Sequence, residues 1–114
     1  VDAIQKNLLY SIKDGFIFDY VENDFITEPI YLERIPADKA ILINNVIYDY
    51  YYLLQALIFQ NTVLDPINKQ MISVSNLDLM EDMYVRDQKN IDDFKDKFDR
   101  LRKKLKKKIR KKMK

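Results

Sequence analysis

The sequence predicts an α+β domain that closes on a long helix, and three observations predict it. Short aromatic and β-branched runs at 16–22 and 40–48 are separated by turn- and loop-forming residues. Apolar residues at helical spacing take over from Asp49. From Ile91 to Met113 the apolar residues step by three or four positions over more than twenty residues.

Ile4, Leu8 and Ile12 are spaced by four, with Leu9 beside them, which predicts a helix over residues 2–14. Gly15, the only glycine, then serves as its C-terminal stop. "FIFDYVE", Phe16 to Glu22, has the composition of a strand. From Asn23 to Lys39 there is no clean period and Pro29 and Pro36 intervene, so loops are expected. In "AILINNVIY" two apolar runs flank Asn44-Asn45, and Asn tolerates the left-handed backbone of a tight turn, so a hairpin follows.

In "DYYYLLQALIF", Tyr50, Leu53, Leu54, Leu57 and Ile58 share helical spacing, and Asp49 can cap the first turn. The tyrosines are read as core rings with their hydroxyls at its edge. Asp65-Pro66 interrupts the helix with a loop carrying Leu64, Ile67, Met71 and Ile72, too apolar for an ordinary solvated turn. Ser75 or Asn76 is expected to cap a further short helix bearing Leu77, Met80, Met83 and Tyr84. Asn90 followed by Asp93 is a capping pattern for the last element, where Phe94, Phe98, Leu101, Leu105 and Ile109 continue one stripe. No internal repeat is expected.

The 114 residues suit a single domain with a modest core. There is no Cys and no His, which excludes zinc fingers, thiol nucleophiles and His-based triads. No metal site and no cofactor are expected, and the absence of Cys leans towards an intracellular compartment, cytoplasm or nucleus. The longest apolar run falls far short of the roughly 20 residues a membrane span needs. The net charge of +2 hides a split. Residues 100–114 hold 11 of the 20 bases and no acid, leaving 9 − 18 = −9 on the rest. The chain is an acidic body with a basic tail.

Three stretches, "EPIYLERI" (Glu28–Ile35), "NNVIYDYYYLLQAL" (Asn44–Leu57) and "LDPINKQMISVSNL" (Leu64–Leu77), stand in the order loop, hairpin, helix, loop, helix. That order resembles the U-box, the zinc-free relative of the RING domain in ubiquitin ligases, over roughly half the chain. The resemblance implies a small U-box/RING-like domain over 25–84, built of two loops, a β-hairpin and a central helix. An N-terminal helical or extended segment (1–24) would precede it and a basic amphipathic helix (90–114) would follow. It implies a ubiquitin-protein ligase, a transferase that forms no covalent intermediate and works by positioning. Its partners would be a ubiquitin-conjugating enzyme and the ubiquitin linked to it. In the family, two apolar loops and the helix between them form a shallow groove for that enzyme. By position, Ile30 and Leu32 would be the first-loop contacts, Ala56 the helix contact and Pro66 the second-loop contact. Lys69 falls where many members place the arginine that bridges enzyme and ubiquitin.

Three positions depart from the family pattern: Asn45 replaces a turn glycine, Met71 a second proline, and Lys69 the arginine. Lysine lacks the planar fork of a guanidinium, so binding would survive better than activation. With no soft or imidazole ligand, polar side chains must tie the loops, the candidates being Asp65, Asn44, Asn68, Lys39 and Ser73.

The tail supports rival readings. Arg100, Arg102, Lys103, Lys104, Lys107, Lys108 and Lys111 could meet nucleic-acid phosphates or an anionic surface, although the tail has no Trp or Phe to anchor in a bilayer. A non-catalytic interaction module whose last helix pairs as a coiled coil is the other alternative. Asp92, Asp93, Asp96 and Asp99 read as a solvated helix face rather than a hydrolytic carboxylate pair.

Overall fold

Two tight turns organise the strands, and both rest on residues that accept a left-handed backbone. Asp14 and Gly15 (φ 54° and 85°) join β1 (Tyr10–Lys13) to β2 (Phe16–Asp19). Asn44 and Asn45 (φ 50° and 68°) join β4 (Ala40–Ile43) to β5 (Val46–Asp49). Paired positive-φ residues match the right-handed twist of the strands they connect. The computed structural model describes the backbone of residues 10–88 and 92–113, and within these the side chains of residues 11–88 and 95–109.

The fold is α+β, with two small sheets and three helices among the described residues. The chain forms two compact units, Val1–Leu53 and Leu54–Lys114. In the first, β1, β2 and the short β3 (Asp24–Phe25) form an antiparallel sheet in that order, with Lys13 opposite Phe16 and Phe18 opposite Phe25. Phe25 lies edge-on to Phe18 at 5.0 Å, and the Arg34 guanidinium stacks over it at 4.0 Å. Ile17, Ile35, Ala40 and Ile47 form the buried centre, with Ile26, Ala37 and Leu42 packed around it. The second sheet is the β4–β5 hairpin, in register from Ala40 opposite Asp49 to Ile43 opposite Val46.

Helix α1 (Tyr50–Gln60) begins where Asp49 Oδ1 accepts the Tyr51 N–H at 2.9 Å. Tyr48 and Tyr50 are fully buried while Tyr51 and Tyr52 are only half so, as a core tyrosine cluster requires. In the second unit, α1 stops at Asn61 (φ 52°), and the Thr62 N–H returns to the Leu57 carbonyl. Helix α2 (Val74–Gln88) buries Leu77, Met80, Met83 and Tyr84. Helix α3 (Asp92–Met113) runs back along α2: Tyr84 meets Phe98, and farther from the connection Asp78 and Glu81 meet Arg102. Of the predicted stripe, Phe98, Leu101 and Leu105 are buried and Ile109 is half-buried, while the side chains of Ile91, Phe94 and Met113 lie outside the described residues. Among the described residues no helix is long and apolar enough to cross a membrane.

Two expectations are corrected. Tyr10–Lys13 is a strand and not the end of a helix, because Asp14-Gly15 is a stronger hairpin signal than the four-residue spacing of Leu8 and Ile12. Residues 2–9 of that expected helix lie outside the described residues, as does Asn90. The cap of α2 is Ser73, whose Oγ accepts the Asn76 N–H at 3.0 Å; Ser75 and Asn76 already lie in the helix.

Asp49 is buried, and that burial holds its carboxyl above the usual range, against the Tyr51 and Tyr52 N–H groups and the Lys39 charge. A raised folded-state pKa means that stability falls as pH rises from the ordinary aspartate range through the folded value, then levels off. Asp49→Asn keeps a capping oxygen and removes the buried charge. Urea melts should show it matching or exceeding the parent protein near pH 7, with the difference closing below about pH 4. Asp49→Ala should instead lose about 1 kcal/mol of helix capping.

Candidate functional site: two carboxylate-pinned loops

Each loop that carries a Pro-Ile pair is built on an acid with no solvent exposure. Glu28 and Asp65 are both 0% exposed. A buried carboxylate is tolerated only when donors face it, and here backbone amides do. In the first loop, Glu28 Oε2 accepts the Ile30 N–H at 2.7 Å. Its Oε1 accepts the Tyr31 N–H at 2.5 Å and, more weakly, the Glu33 N–H at 3.4 Å. In the second loop, Asp65 Oδ1 accepts from Ile67 at 3.1 Å and Asn68 at 2.5 Å.

The backbone repeats as well. The Leu32 N–H reaches the Glu28 carbonyl at 2.9 Å, and the Lys69 N–H reaches the Asp65 carbonyl at 3.0 Å. Glu28 N–H bonds the Glu33 carbonyl, and Asp65 N–H bonds the Gln70 carbonyl. Thr27 bridges Arg34, and Leu64 bridges Met71. Leu32 and Lys69, each four residues after its acid, hold φ of 60° and 58°. Glu28-Pro29-Ile30-Tyr31-Leu32 and Asp65-Pro66-Ile67-Asn68-Lys69 are therefore the same loop twice. The likeness is confined to these loops and is not a repeat of larger units. Its signal was the repeated acid-Pro-Ile tripeptide, masked by the unlike residues that follow.

The pinned loops turn side chains outward. In the first, Ile30 is half-buried, Tyr31 is 60% exposed and Leu32 is 72% exposed. In the second, Pro66 is half-buried, Ile67 is 49% exposed, and Lys69 is exposed. Ala56 is half-buried on α1. Tyr31 stacks edge-on against Tyr52 at 4.8 Å, and the Tyr52 hydroxyl donates to Glu33 Oε2 at 2.6 Å, which fixes the first loop to the start of α1. Accepting that hydrogen bond, Glu33 pushes the phenol up to about 12. Glu28 and Tyr31 thus shape and face the first loop, where the sequence reading gave them no role.

Of the polar residues expected to tie the two loops to each other, Asp65 accepts amides of its own loop, one of them from Asn68. Asn44 instead shapes the hairpin turn, Lys39 offsets the Asp49 charge, and Ser73 caps α2. The tail bases are divided. Arg102 is engaged by Glu81 at 2.6 Å and Asp78 at 2.9 Å, which raises its pKa further. Lys104 donates to the Asn61 carbonyl at the end of α1. Arg100, Lys103 and Lys107 are exposed and Lys108 is half-buried, while the Lys111 side chain lies outside the described residues. Asp96 and Asp99 are exposed as expected; the side chains of Asp92 and Asp93 also lie outside the described residues.

Removing the first pin should cost stability. Glu28→Ala leaves part-buried amides without their acceptor and should lower unfolding free energy by about 1–3 kcal/mol in urea melts. Glu28→Gln places an NH2 against one amide donor, since both carboxylate oxygens accept, and should recover only part of the loss. In an ultraviolet titration, one tyrosine should ionise near pH 12, and Glu33→Gln should return it to the ordinary tyrosine range.

Comparison of the chain with protein-family models, with curated proteins and with solved structures gives no match, so the site is read from its geometry.

Proposed function

We propose that the chain is a U-box-type ubiquitin-protein ligase module that binds a ubiquitin-conjugating enzyme and promotes ubiquitin transfer by positioning. The observation that carries this reading is Leu32. A leucine at φ 60° costs about 1–2 kcal/mol relative to ordinary backbone, and glycine would avoid that cost. Leu32 offsets none of it by burial, since it is 72% exposed. Strain kept at an exposed apolar side chain fits a residue retained for contact with a partner.

Ile30 in the first loop, Ala56 on α1, and Pro66 with Ile67 in the second loop are the further contacts of this reading. A proline-stiffened, carboxylate-pinned loop loses little conformational entropy when a partner docks on it. Lys69 presents its charge from an exposed position in the second loop and is the ubiquitin-positioning residue. The cysteine thioester belongs to the conjugating enzyme, so the module's task is to hold donor and acceptor in attack geometry. No Cys or His of its own is required for that.

The test is ubiquitin discharge to free lysine from a panel of charged conjugating enzymes. Wild type should accelerate discharge, and Ile30→Ala, Pro66→Ala and Lys69→Ala should each reduce the effect. Lys69→Arg should increase it, because the guanidinium restores a planar fork. Leu32→Gly separates fold from function: its melting temperature should be unchanged or higher, yet discharge should drop at least tenfold, the loss of roughly 1.4 kcal/mol of binding. Absence of acceleration with every enzyme, together with absence of NMR shifts in residues 28–35 and 64–72, would overturn the proposal.

A further inference from the structure

We propose that the outward face of α3 binds the phosphodiester backbone of double-stranded nucleic acid without sequence preference. The inference uses neither of the two pinned loops and holds whether or not the ligase reading does. Arg100, Lys103, Lys106 and Lys107 are exposed, and among the described residues no acid forms an ion pair with any of them. At about 100° per residue the four fall within an arc of roughly 120°, lying opposite the arc of Phe98, Leu101 and Leu105. Asp96 and Asp99 share the outward face one turn earlier, so the cationic stretch starts at Arg100.

Three features choose the partner. A basic amphipathic helix binds a bilayer by sinking its apolar side into the acyl boundary. Here Phe98, Leu101 and Leu105 are already buried within the chain and Ile109 is half-buried, so among the described residues the helix offers cations but no exposed apolar side. Phosphates need only the cations, because neutralising them releases condensed counterions. The second feature is the type of side chain. Lysine and arginine tips on an exposed helix contact phosphate and carry no sequence information by themselves. Among the described residues the outward arc also has no aromatic ring for stacking unpaired bases, which favours duplex over single strand. The third is residues 1–99, whose charge of 9 − 18 = −9 repels a polyanion and confines its contact to the part of α3 from Arg100 onward.

Fluorescence anisotropy of the full chain with a labelled random-sequence DNA duplex tests this across a salt series. With four phosphate contacts, the slope of log affinity against log salt should be about −3 to −4, steeper if the last residues join. Affinity should then fall on the order of a hundredfold between 50 and 200 mM salt. The triple variant Lys103→Gln, Lys106→Gln, Lys107→Gln alters exposed positions only and should keep its circular dichroism spectrum. Its slope should flatten by about 3. Duplexes of unrelated sequence should bind alike. An unchanged slope in the triple variant would overturn the proposal. So would binding to phosphatidylcholine–phosphatidylserine vesicles at salt concentrations that abolish duplex binding.

Discussion

A carboxylate that accepts the amides two and three residues ahead of it is the interaction on which this small protein depends. Glu28, Asp49 and Asp65 are the buried acids among the described residues, and all three use that pattern: Glu28 towards Ile30 and Tyr31, Asp49 towards Tyr51 and Tyr52, Asp65 towards Ile67 and Asn68. Asp19 does the same at the surface for Val21 and Glu22. Burying an ion costs several kcal/mol after relaxation, and hydrogen bonds to charged groups contribute about 1.5–3 kcal/mol each. Two or three such bonds bring the two sums close together. The acid is therefore tolerated for the conformation it fixes more than for net stability. Asp49 shows the balance tipping the other way, since burial outweighs its amides and its carboxyl pKa rises.

Fixing those conformations lets the chain keep backbone it would otherwise avoid. Positive φ occurs at Asp14, Asn23, Asn44, Asn45 and Asn61, where short polar side chains accept it, and at the single glycine. Leu32 and Lys69 have no such excuse, and they occupy the same position in the two loops. In each, the residue's own N–H is held by the carbonyl of the pinning acid. The strain is local and over-determined by its surroundings, the condition under which strained residues persist. An exposed leucine and an exposed lysine sit at the two strained positions, so what distinguishes the loops is the chemistry they present and not the way they are built.

Much of this was legible in the sequence, and the failures have definite causes. The β4–β5 hairpin, α1 with its Asp49 cap, and the core set Leu77, Met80, Met83 and Tyr84 followed from turn chemistry and period. The β1–β2 hairpin was missed because a few apolar residues spaced by four outweighed Asp14-Gly15, although two positive-φ residues bounded by strand-formers are far more restrictive than a spacing. The site was half legible. Pro-Ile at 29–30 and 66–67 marked both loops, but nothing in composition says that Glu28 is buried. A glutamate before proline is ordinary loop chemistry until the fold removes water from it. Ser73 was hidden for a related reason: Ser73, Ser75 and Asn76 are all competent caps, and only the direction of the preceding chain selects among them.

The basic tail shows most clearly what a fold adds to a sequence. Eleven bases read alike in the last fifteen residues. Packing against α2 commits Arg102 to Asp78 and Glu81, and Lys104 to the carbonyl that ends α1. Those two cations attach α3 to its own unit. The same packing buries Phe98, Leu101 and Leu105, so a coiled coil through that seam would have to replace contacts the chain already makes. Among the described residues, what remains outward is charge without an exposed apolar complement. Helical geometry places it opposite the buried stripe, and the placement is a consequence of the core: a stripe stepping by three and four fixes which lysines can reach solvent. The residues that stabilise α3 and the residues left for a polyanion are thus sorted by one constraint, the burial of Phe98, Leu101 and Leu105.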